Sequence, residues 1–352
     1  MGREKPTRVG IVGCGYWGPN LVRNFLITPG CVVAAASDLR PERLESLRRV
    51  HPQIHLTERA EEILRDPSID AVAIVTPVAT HFELARLALE AGKHVLVTKP
   101  MTRTLAESGN LVALAQRRER VLLVDHTFIY SGPVRTIREL IDRGELGDIY
   151  YFDSIRVNLG LFQPDVNVLW DLACHDISIL LHLVDKEPVS VAGIGARPIP
   201  DARGPLESLA YLVVRFRDET IGHIHVSWLS PVKIRRTILG GSRKMVVYDH
   251  LDPDNQVKVY DKGVEIRTAE AANEARVQYR VGGMVAPKVD QGEALGTECR
   301  HFIDCIRSGA PPITDGRSGL AVMRLLEAAQ RSMEERGREV AVDLADLRGA
   351  RR

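Results

Sequence analysis

Residues 8–20 read RVGIVGCGYWGPN, in which an apolar run passes directly into glycines at positions 13, 15 and 18. In a dinucleotide-binding turn with this G-x-G-x-x-G spacing, the first glycine permits the tight bend, the second lets the backbone approach the pyrophosphate, and the third lets helix and strand pack closely. The phosphates then bind at the amides of the helix N-terminus. Glycine-rich turns also occur in α/β proteins that bind nothing, so the motif alone leaves both interpretations open.

A carboxylate further along the chain favours the cofactor-binding interpretation. Asp38 ends the second apolar run, twenty residues after Gly18, where it can accept hydrogen bonds from the adenosine ribose. It also favours NAD over NADP, because a 2′-phosphate would face its carboxylate. Arg40 keeps NADP open, since its side chain could swing onto such a phosphate; the alternative is that Arg40 is a solvated loop cation before Pro41.

The first 125 residues alternate short apolar runs with amphipathic stretches. The apolar runs are RVGIV (8–12), VVAAAS (32–37), AVAIVT (71–76), HVLVT (94–98) and VLLVD (121–125). Their continuous apolarity predicts parallel strands covered on both faces, and their alternation with helices predicts a doubly wound α/β sheet. A capping box from Thr80 to Glu83 and a left-handed residue at Gly92 predict the two ends of one helix.

After residue 145, strand-like runs follow one another, with turns such as RDET and DKG between them. One helix, predicted from about Asp171 to Val184, interrupts them, and residues 294–308 and 316–336 have helical character. This pattern indicates an α+β domain built on a mostly antiparallel sheet. We therefore expect a dinucleotide-binding domain at 1–125 and a substrate-binding and oligomerisation domain at 126–352, whose C-terminal helices can pack back on the first domain.

Composition narrows the class of protein. The 352 residues are 45% hydrophobic and 26% charged with a formal net charge of +1, so we expect neither nucleic acid nor an anionic membrane as partner. No apolar run has the length of a membrane span, and no secretory leader precedes the first strand, which predicts a cytoplasmic protein.

The five cysteines lack C-x-x-C spacing and are expected to be free thiols. His223 and His225 form an H-x-H pair without a visible further ligand, so we interpret them as half-exposed sheet histidines and expect no metal.

Residues just past the carboxyl ends of the strands are candidates for chemistry, because ligands of a doubly wound sheet bind there. Thr76-Pro77, Lys99-Pro100 and His126 each follow a predicted strand. A proline stops the strand and holds the preceding residue extended. Lys99 is then either a catalytic group at the rim of the cofactor crevice or a solvated surface charge.

A second candidate lies in LWDLACHDIS, residues 169–178. Asp171 and His175 are four residues apart and share a helix face. The carboxylate favours the imidazolium and the helix dipole opposes it, a balance that can poise His175 as a base near neutral pH. Asp171 is also placed to act as the helix cap, and Asp176, on a different face, is interpreted as a structural hydrogen-bonding group.

With these residues placed, the sequence resembles the Gfo/Idh/MocA family, the glucose-fructose oxidoreductase and inositol dehydrogenase group. The resemblance covers essentially the whole chain and rests on VGIVGCGYWGPN, AVAIVTP followed by His81, GKHVLVTKP, the D-x-x-x-H of WDLACHD, and ECRHFIDCIRSGAPPITDGRSGL. It implies a Rossmann domain that binds NAD, with NADP still open, and a second domain with an open-faced sheet. It also implies hydride transfer to or from a hydroxyl carbon of a sugar or cyclitol.

The resemblance implies roles for individual residues. His175 would remove the substrate hydroxyl proton as hydride leaves the same carbon, Lys99 would stabilise the charge developing on the oxygen, and Asp171 would orient His175. The family's glutamate before the lysine is Thr98 here, which leaves open how the proton of Lys99 is handled. The implied cofactor contacts are Gly13, Gly15, Tyr16, Trp17, Gly18, Asp38, Arg40, Thr76, Pro77, His81 and Lys99.

The stretches YWGPN, DHTFIY and VLWDLACHDISIL resemble the branch of the family found in nucleotide-sugar and antibiotic-sugar pathways, whose members often act at carbon three of the ring. The implied substrate is a nucleotide sugar or an aminoglycoside-type sugar, contacted by His126, Tyr130, Arg156 and Asn158; for the last three, sheet-edge packing is the alternative. A redox-assisted glycosidase that regenerates its NAD and a regulator that senses dinucleotide without turnover stay open as other functions. An open sheet with one apolar face predicts a homodimer or homotetramer.

Overall fold

A computed structural model describes residues 5–160, 162, 166–199, 206–268 and 275–347. The chain forms two compact units. We call Met1–Tyr130 with Gly292–Met323 the parallel-sheet unit, and Ser131–Gln291 with Arg324–Arg352 the mixed-sheet unit. Among the described residues, every helix is too short or too polar to cross a membrane.

The parallel-sheet unit has six parallel strands, in the order β3-β2-β1-β4-β5-β6. The strands are β1 (Thr7–Val12), β2 (Cys31–Ser37), β3 (His55–Thr57), β4 (Ala71–Ile74), β5 (His94–Thr98) and β6 (Leu122–Asp125). The helices between them are α1 (Gly18–Ile27), α2 (Pro41–Val50), α3 (Ala60–Arg65), α4 (His81–Glu90) and α5 (Leu105–Arg117). The strand order reverses between β1 and β4, the switch point where doubly wound sheets bind ligands.

The predicted doubly wound sheet is confirmed. Its central strands are buried on both faces, which is why they read as continuous apolar runs. The short edge strand β3, with the sequence HLT, was not predicted, because three half-exposed residues carry no apolar pattern. Helix α8 (Ala294–Ser308) packs against α1, with the rings of Phe25 and Phe302 in edge contact at 6.3 Å between centroids.

The C-terminal end of α4 is as the sequence predicted, whereas its N-terminal end is not. Gly92 follows the helix with φ +76°, the left-handed conformation that was predicted. The predicted capping box is wrong: the hydroxyl of Thr80 donates to Pro77 O at 2.9 Å and lies 2.7 Å from the hydroxyl of Thr76. A 3-10 turn, Val78–Thr80, precedes the helix and directs the Thr80 side chain back along the chain instead of onto the helix amides.

The mixed-sheet unit is built on a nine-stranded sheet in the order β14-β13-β12-β11-β7-β10-β9-β8-β15, in which only the neighbours β7 and β10 run parallel. The strands are β7 (Ile149–Leu159), β8 (Pro188–Ala196), β9 (Leu209–Phe216), β10 (Ile221–Ser227), β11 (Leu229–Gly241), β12 (Met245–Asp249), β13 (Val257–Thr268), β14 (Ala275–Val285) and β15 (Val340–Ala341). The helices are α6 (Gly132–Asp142), α7 (Cys174–Leu183) and α9 (Gly316–Glu334), whose first residues belong to the parallel-sheet unit. The predicted α+β domain with a mostly antiparallel sheet is confirmed.

The two faces of this sheet differ. On the covered face, Ser154 and Arg156 of β7 hydrogen-bond Asp176 of α7. On the other face, which we call the exposed face, cross-strand pairing aligns His225 with Tyr211 and Tyr211 with Ile194. Tyr211 is 43% exposed and Ile194 is 64% exposed. The helix that carries the predicted catalytic residues therefore lies on the face opposite this apolar surface.

Candidate active site

The glycine-rich turn between β1 and α1 requires glycine at two of its three positions. Gly13 has φ +102°, and a Cβ there would lie 2.6 Å from the carbonyl oxygen of Val75. A Cβ on Gly18 would lie 2.2 Å from the carbonyl oxygen of Gly13. A Cβ on Gly15 would have the guanidinium of Arg43 as its nearest neighbour, at 3.4 Å. The backbone at Gly15 can therefore be approached closely. The turn thus has the geometry expected of a pyrophosphate-binding loop.

Asp38, at the end of β2, is held by the turn itself. Its carboxylate accepts hydrogen bonds from the amide of Cys14 at 2.7 Å, the amide of Arg40 at 3.0 Å and the guanidinium of Arg43 at 3.2 Å. Burial alone would raise the pKa of Asp38, but these donors outweigh burial and lower the pKa below its usual value. A carboxylate whose ionised form is favoured therefore lies beside the loop, where the sequence predicts the ribose-binding acid.

The cation that faces Asp38 is Arg43, which the sequence analysis did not identify. Arg40 contacts Asp38 through its backbone amide and belongs to an exposed segment. Arg43 lies in the first turns of α2, five residues after Asp38, so its side chain reaches back over the glycine turn. The signal was present in the sequence as a second basic residue in the same segment, LRPER, but spacing could not rank the two arginines.

The segments that follow β4 and β5 are joined by a histidine. His81 is buried, with Nε2 2.8 Å from the carbonyl oxygen of Thr76 and Nδ1 3.0 Å from that of Pro100. Burial lowers its pKa despite these carbonyls. Thr98, which stands where the family has glutamate, donates its hydroxyl to Ile74 O at 3.3 Å. His81 and Thr98 therefore bind the strand ends to each other, and Lys99 follows them half-buried.

The end of β6 anchors the aromatic part of the glycine turn. The indole nitrogen of Trp17 donates to Asp125 at 3.0 Å, and the amide of Thr127 donates to the other carboxylate oxygen at 3.2 Å. Tyr16, its neighbour, is 92% exposed. Asp125 was not among the predicted site residues, because a buried acid at the end of an apolar strand gives no pattern of its own.

Asp125 has a fully buried neighbour, Glu298 of α8. Burial, then the negative charge of Asp125 and a hydrogen bond with it, raises the pKa of Glu298 well above its usual range, which favours the protonated acid. The family motif ECRHFIDC begins at Glu298. The motif did not reveal the contact with Asp125, because the two residues are 173 positions apart in the sequence (298 − 125).

His126, predicted as a substrate contact, follows Asp125 and is 2% exposed. Burial is the main reason that its pKa falls to about 4; Asp125 opposes this shift and Lys99 adds to it. The imidazole is therefore neutral at physiological pH. Neither ring nitrogen has a hydrogen-bond partner within the ranges that the structure describes, and both are buried.

In the mixed-sheet unit, the predicted helix begins earlier than expected. A π-helical turn, Leu169–Ala173, precedes α7, and the side chain of Asn167 accepts from the amide of Trp170 at 3.2 Å. Asn167 therefore accepts from an amide of the first turn, and Asp171 lies inside that turn instead of at the helix start, so the prediction that Asp171 caps the helix is wrong. Asp171 instead accepts a hydrogen bond from the indole of Trp228 at 3.2 Å. This tryptophan, 2% exposed, fixes the carboxylate four residues before His175.

Arg156 and Asp176 form a buried ion pair beneath α7. The guanidinium contacts the two carboxylate oxygens at 2.6 and 3.2 Å, and the two side chains are 7% and 2% exposed. Burial would lower the pKa of Arg156, but Asp176 outweighs it and raises the pKa. The interpretation of Asp176 as a structural group agrees with these contacts. The guanidinium of Arg156, which was predicted to contact substrate, is thus bound to Asp176.

The other two predicted substrate contacts differ in position. Tyr130 is buried in the parallel-sheet unit, and its hydroxyl is 2.8 Å from that of Thr314. Asn158 is half-buried on the covered face, and its side-chain amide nitrogen would lie 3.3 Å from a Cβ added at Gly160. Tyr130 is therefore part of a core, whereas Asn158 lies on the face that carries α7.

The H-x-H pair lies on the exposed face. His223 is 2.7 Å from the carboxylate of Asp153, and the ring of His225 stacks on Tyr211 at 4.2 Å between centroids. Among the described residues, no three side chains of the metal-binding types form a site. Asp153 is a partner that the sequence did not reveal, because it lies on the neighbouring strand β7.

A parallel sheet of this order, with a glycine-rich turn and an ionised carboxylate after β2, defines a dinucleotide-binding protein. Residues 7–126 match the model of an oxidoreductase family with an NAD-binding Rossmann fold, GFO/IDH/MocA, and residues 134–247 match the model of its C-terminal domain. The chain belongs to the GFO/IDH/MocA oxidoreductases, as the sequence motifs predicted.

Similar proteins extend over most of the chain. An uncharacterised oxidoreductase of Escherichia coli, YdgJ, is 31% identical over 71% of this chain and 73% of its own length. UDP-N-acetylglucosamine 3-dehydrogenase of Acidithiobacillus ferrooxidans is 25% identical over 90% of this chain and 94% of its own length. The structure of GenD2 from gentamicin A biosynthesis, solved with NAD, has a TM-score of 0.80 and 23% identity, and covers 97% of this chain and 98% of that one; it shows the shared fold.

Proposed function

We propose that this oxidoreductase transfers hydride between NAD and a ring hydroxyl or ketone carbon of a sugar, with carbon three as the position of reaction. The relative from Acidithiobacillus supports both the sugar and the position, since it is named as a 3-dehydrogenase of a nucleotide sugar. The observation that carries the proposal is the fixed carboxylate of Asp171, held by Trp228 one helical turn before His175. A protein that only sensed dinucleotide would need no such pair.

The residues of the parallel-sheet unit fit a dinucleotide. The turn at Gly13 and Gly18 has no room for side chains, the backbone at Gly15 is accessible, and Asp38 is an ionised acceptor for ribose hydroxyls. We infer a preference for NAD, because the carboxylate would repel a 2′-phosphate and Arg43 already pairs with it. When bound, NAD supplies the acceptor for the hydride that the substrate carbon releases.

The chain's own residues are assigned to the proton and the oxygen. In oxidation, His175 accepts the hydroxyl proton at a ring nitrogen while the C–H electron pair leaves as hydride and the carbon–oxygen bond becomes a carbonyl. Lys99 donates a hydrogen bond to the oxygen on which charge develops. Asp171, oriented by Trp228, positions His175 and stabilises its protonated form. In reduction, His175 returns the proton to the oxygen.

A substrate panel tests this function directly. We would supply NAD and NADP separately with sugar nucleotides and aminoglycosides and follow the absorbance of the reduced nicotinamide. His175→Ala should lower kcat by roughly 10² to 10⁴ and leave the Kd for NAD within about twofold. His182→Ala, on the same helix, serves as the matched control and should keep full activity.

Two results would contradict the proposal. Glycosidic cleavage without net NAD reduction would indicate the redox-assisted glycosidase. NAD binding with no turnover on any sugar, unchanged in His175→Ala, would indicate the regulator.

We also propose that two or four copies associate through the exposed face of the nine-stranded sheet. Large side chains line it, including Ile194 and Tyr211, and burying such a surface favours association. Light scattering that shows only monomer at micromolar concentration would contradict this. A cytoplasmic location is proposed because all five cysteines are free thiols, as a reducing compartment keeps them.

A further inference from the structure

The covered face of the mixed sheet carries more positive charge than its carboxylates neutralise. In the register of β7 and β11, Arg156 and Arg235 are directly opposite each other, so both side chains leave the same face. Like charges placed opposite each other destabilise a sheet unless something compensates them. Asp176 of α7 compensates Arg156 and is 2.6 Å away.

Arg235 has no such direct partner: Asp176 also attracts it, but this attraction is weaker than the burial and the repulsion from Arg156 that disfavour its charge. It is half-buried, and no carboxylate within the described ranges forms an ion pair with it or with Lys233 nearby. Burial, followed by repulsion from Arg156, lowers the pKa of Arg235. Asp249, on the paired strand β12, forms its ion pair with Arg236 at 2.7 Å, and the register places that pair on the exposed face. A half-buried cation without a counter-charge is costly, because burial weakens its hydration.

The same positive charges act on a neighbouring histidine, His250. The amide of His250 donates to the carbonyl of Arg235 at 2.9 Å, and its ring is 3.1 Å from the hydroxyl of Tyr248. Burial, then the charges of Arg235, Arg156 and Lys233, lowers the pKa of His250 to about 4, and Asp249 opposes this only in part. Arg235 and Arg156, which share the covered face, and the exposed Lys233 are therefore all close enough to His250 to lower its pKa.

This part of the covered face lies beside the helix of the proposed reaction. Asp176, which binds Arg156, is the residue after His175 on α7. A substrate held at that helix would therefore bring its other groups over the same sheet face. A guanidinium binds phosphate or carboxylate oxygens with two parallel hydrogen bonds, so Arg235 is suited to an anionic group.

We propose that Arg235, with Arg156, Lys233 and His250 around it, is the binding site for an anionic group of the substrate, such as the diphosphate of a sugar nucleotide or the carboxylate of a sugar acid. The inference rests on the proposed function, because it identifies the class of sugar that the enzyme accepts. It excludes the polycationic aminoglycosides, which this face would repel.

Calorimetry on the full chain saturated with NAD tests the site, since NAD keeps the probes out of the dinucleotide site. The probes are UDP, inorganic pyrophosphate, glucuronate, N-acetylglucosamine and kanamycin. We expect UDP and pyrophosphate to bind, or glucuronate if a carboxylate is the natural group, and kanamycin not to bind. Arg235→Gln should weaken the binding of the preferred anion by about tenfold or more, and Arg235→Lys should recover part of it.

Arg236→Gln is the matched control, because it removes the adjacent arginine from the opposite face. It should change the anion Kd by less than about twofold. Bound anion should also raise the pKa of His250 in an NMR titration of histidine-labelled protein, a readout independent of turnover.

The proposal is overturned if wild-type protein binds none of the anions, if Arg235→Gln and Arg236→Gln weaken binding equally, or if kanamycin binds more tightly than UDP. Turnover of neutral or cationic sugars, with no effect of Arg235→Gln, would leave the proposed oxidoreductase intact and refute this site alone. Should Arg235→Gln fail to fold, Lys233→Gln and the His250 titration decide the question.

Discussion

The two units hold their functional groups in different ways. In the parallel-sheet unit the glycine turn is shaped by backbone contacts, and Asp38 is held largely by two backbone amides, that of Cys14 in the glycine turn and that of Arg40 two residues further on. In the mixed-sheet unit, functional groups are held by side chains that are far away in the sequence. The indole of Trp228, for example, donates a hydrogen bond to Asp171, 57 residues earlier. Backbone geometry leaves a pattern in the sequence, whereas pairing between distant side chains does not.

The largest effect should come from breaking the buried pair of the mixed-sheet unit. Asp176→Ala leaves the Arg156 guanidinium buried without its counter-charge, and should lower the free energy of unfolding by about 3 to 5 kcal/mol. Urea unfolding in a Trp17→Phe background, followed by the fluorescence of Trp170 and Trp228, reports on this unit alone.

The surface pair provides the control for that experiment. Asp249→Ala removes the partner of Arg236, whose side chain is 50% exposed, and should cost no more than about 1 kcal/mol. Equal losses in the two variants would show that Asp176 does not stabilise the unit through its buried charge.

The glycine turn gives the second contrast. Gly18→Ala should lower stability by roughly 1 to 3 kcal/mol, because its Cβ would strike the carbonyl of Gly13 at 2.2 Å. Gly15→Ala meets only the flexible end of Arg43 and should leave stability nearly unchanged, yet it should weaken NAD binding, since the added methyl blocks approach to the backbone. Thermal unfolding without ligand and calorimetry with NAD separate the two effects. A stable Gly15→Ala protein with wild-type NAD affinity would refute this role of the turn.

A smaller effect is expected from the hydrogen bonds that Asp125 makes in the parallel-sheet unit. Trp17→Phe removes the hydrogen bond to Asp125 and should raise the Kd for NAD about fivefold. Glu298→Leu should raise it about threefold, because Asp125 loses a proton donor, whereas Glu298→Gln keeps a donor and should stay near wild type.

A double-mutant cycle shows whether the two residues act together. If both act through Asp125, the Trp17→Phe, Glu298→Leu protein should bind NAD no more weakly than Trp17→Phe alone. Fully additive losses would mean that Glu298 contributes only to general packing.

The smallest effect compares two histidines whose pKa values are both lowered to about 4. In His126 burial is the main cause, and Asp125 and Lys99 oppose each other, so added salt should change little. In His250 three cations contribute, so 0.5 M salt should raise the pKa by roughly a few tenths of a unit. NMR titration of each ring measures the difference; equal shifts would argue against the positive potential at His250.

Both histidines also make the protein sensitive to acid. Their folded pKa lies below the unfolded value of about 6.5, so the unfolded chain binds more protons as the pH falls. The stability that they contribute is complete above about pH 6.5 and is lost as the pH falls toward 4.

The sequence predicted the fold more completely than the site. Continuous apolar runs located five of the six parallel strands, and the motifs identified the family, because both depend on residues close together in the chain. The capping roles given to Thr80 and Asp171 were wrong, because a 3-10 turn and a π-helical turn moved the helix starts. The roles of Lys99, Asp171 and His175 stay predictions that the experiments above address.

By itself, the sequence determined the parallel sheet, the shape of the glycine turn and the presence of an acid at the end of β2, since each follows from local backbone constraints. Only the tertiary structure decided which partners those residues have: Arg43 for Asp38, Trp228 for Asp171, Asp176 for Arg156, and no described carboxylate for Arg235. Such pairs depend on strand register and helix packing, which bring side chains together at separations from 5 to 57 residues without any fixed spacing.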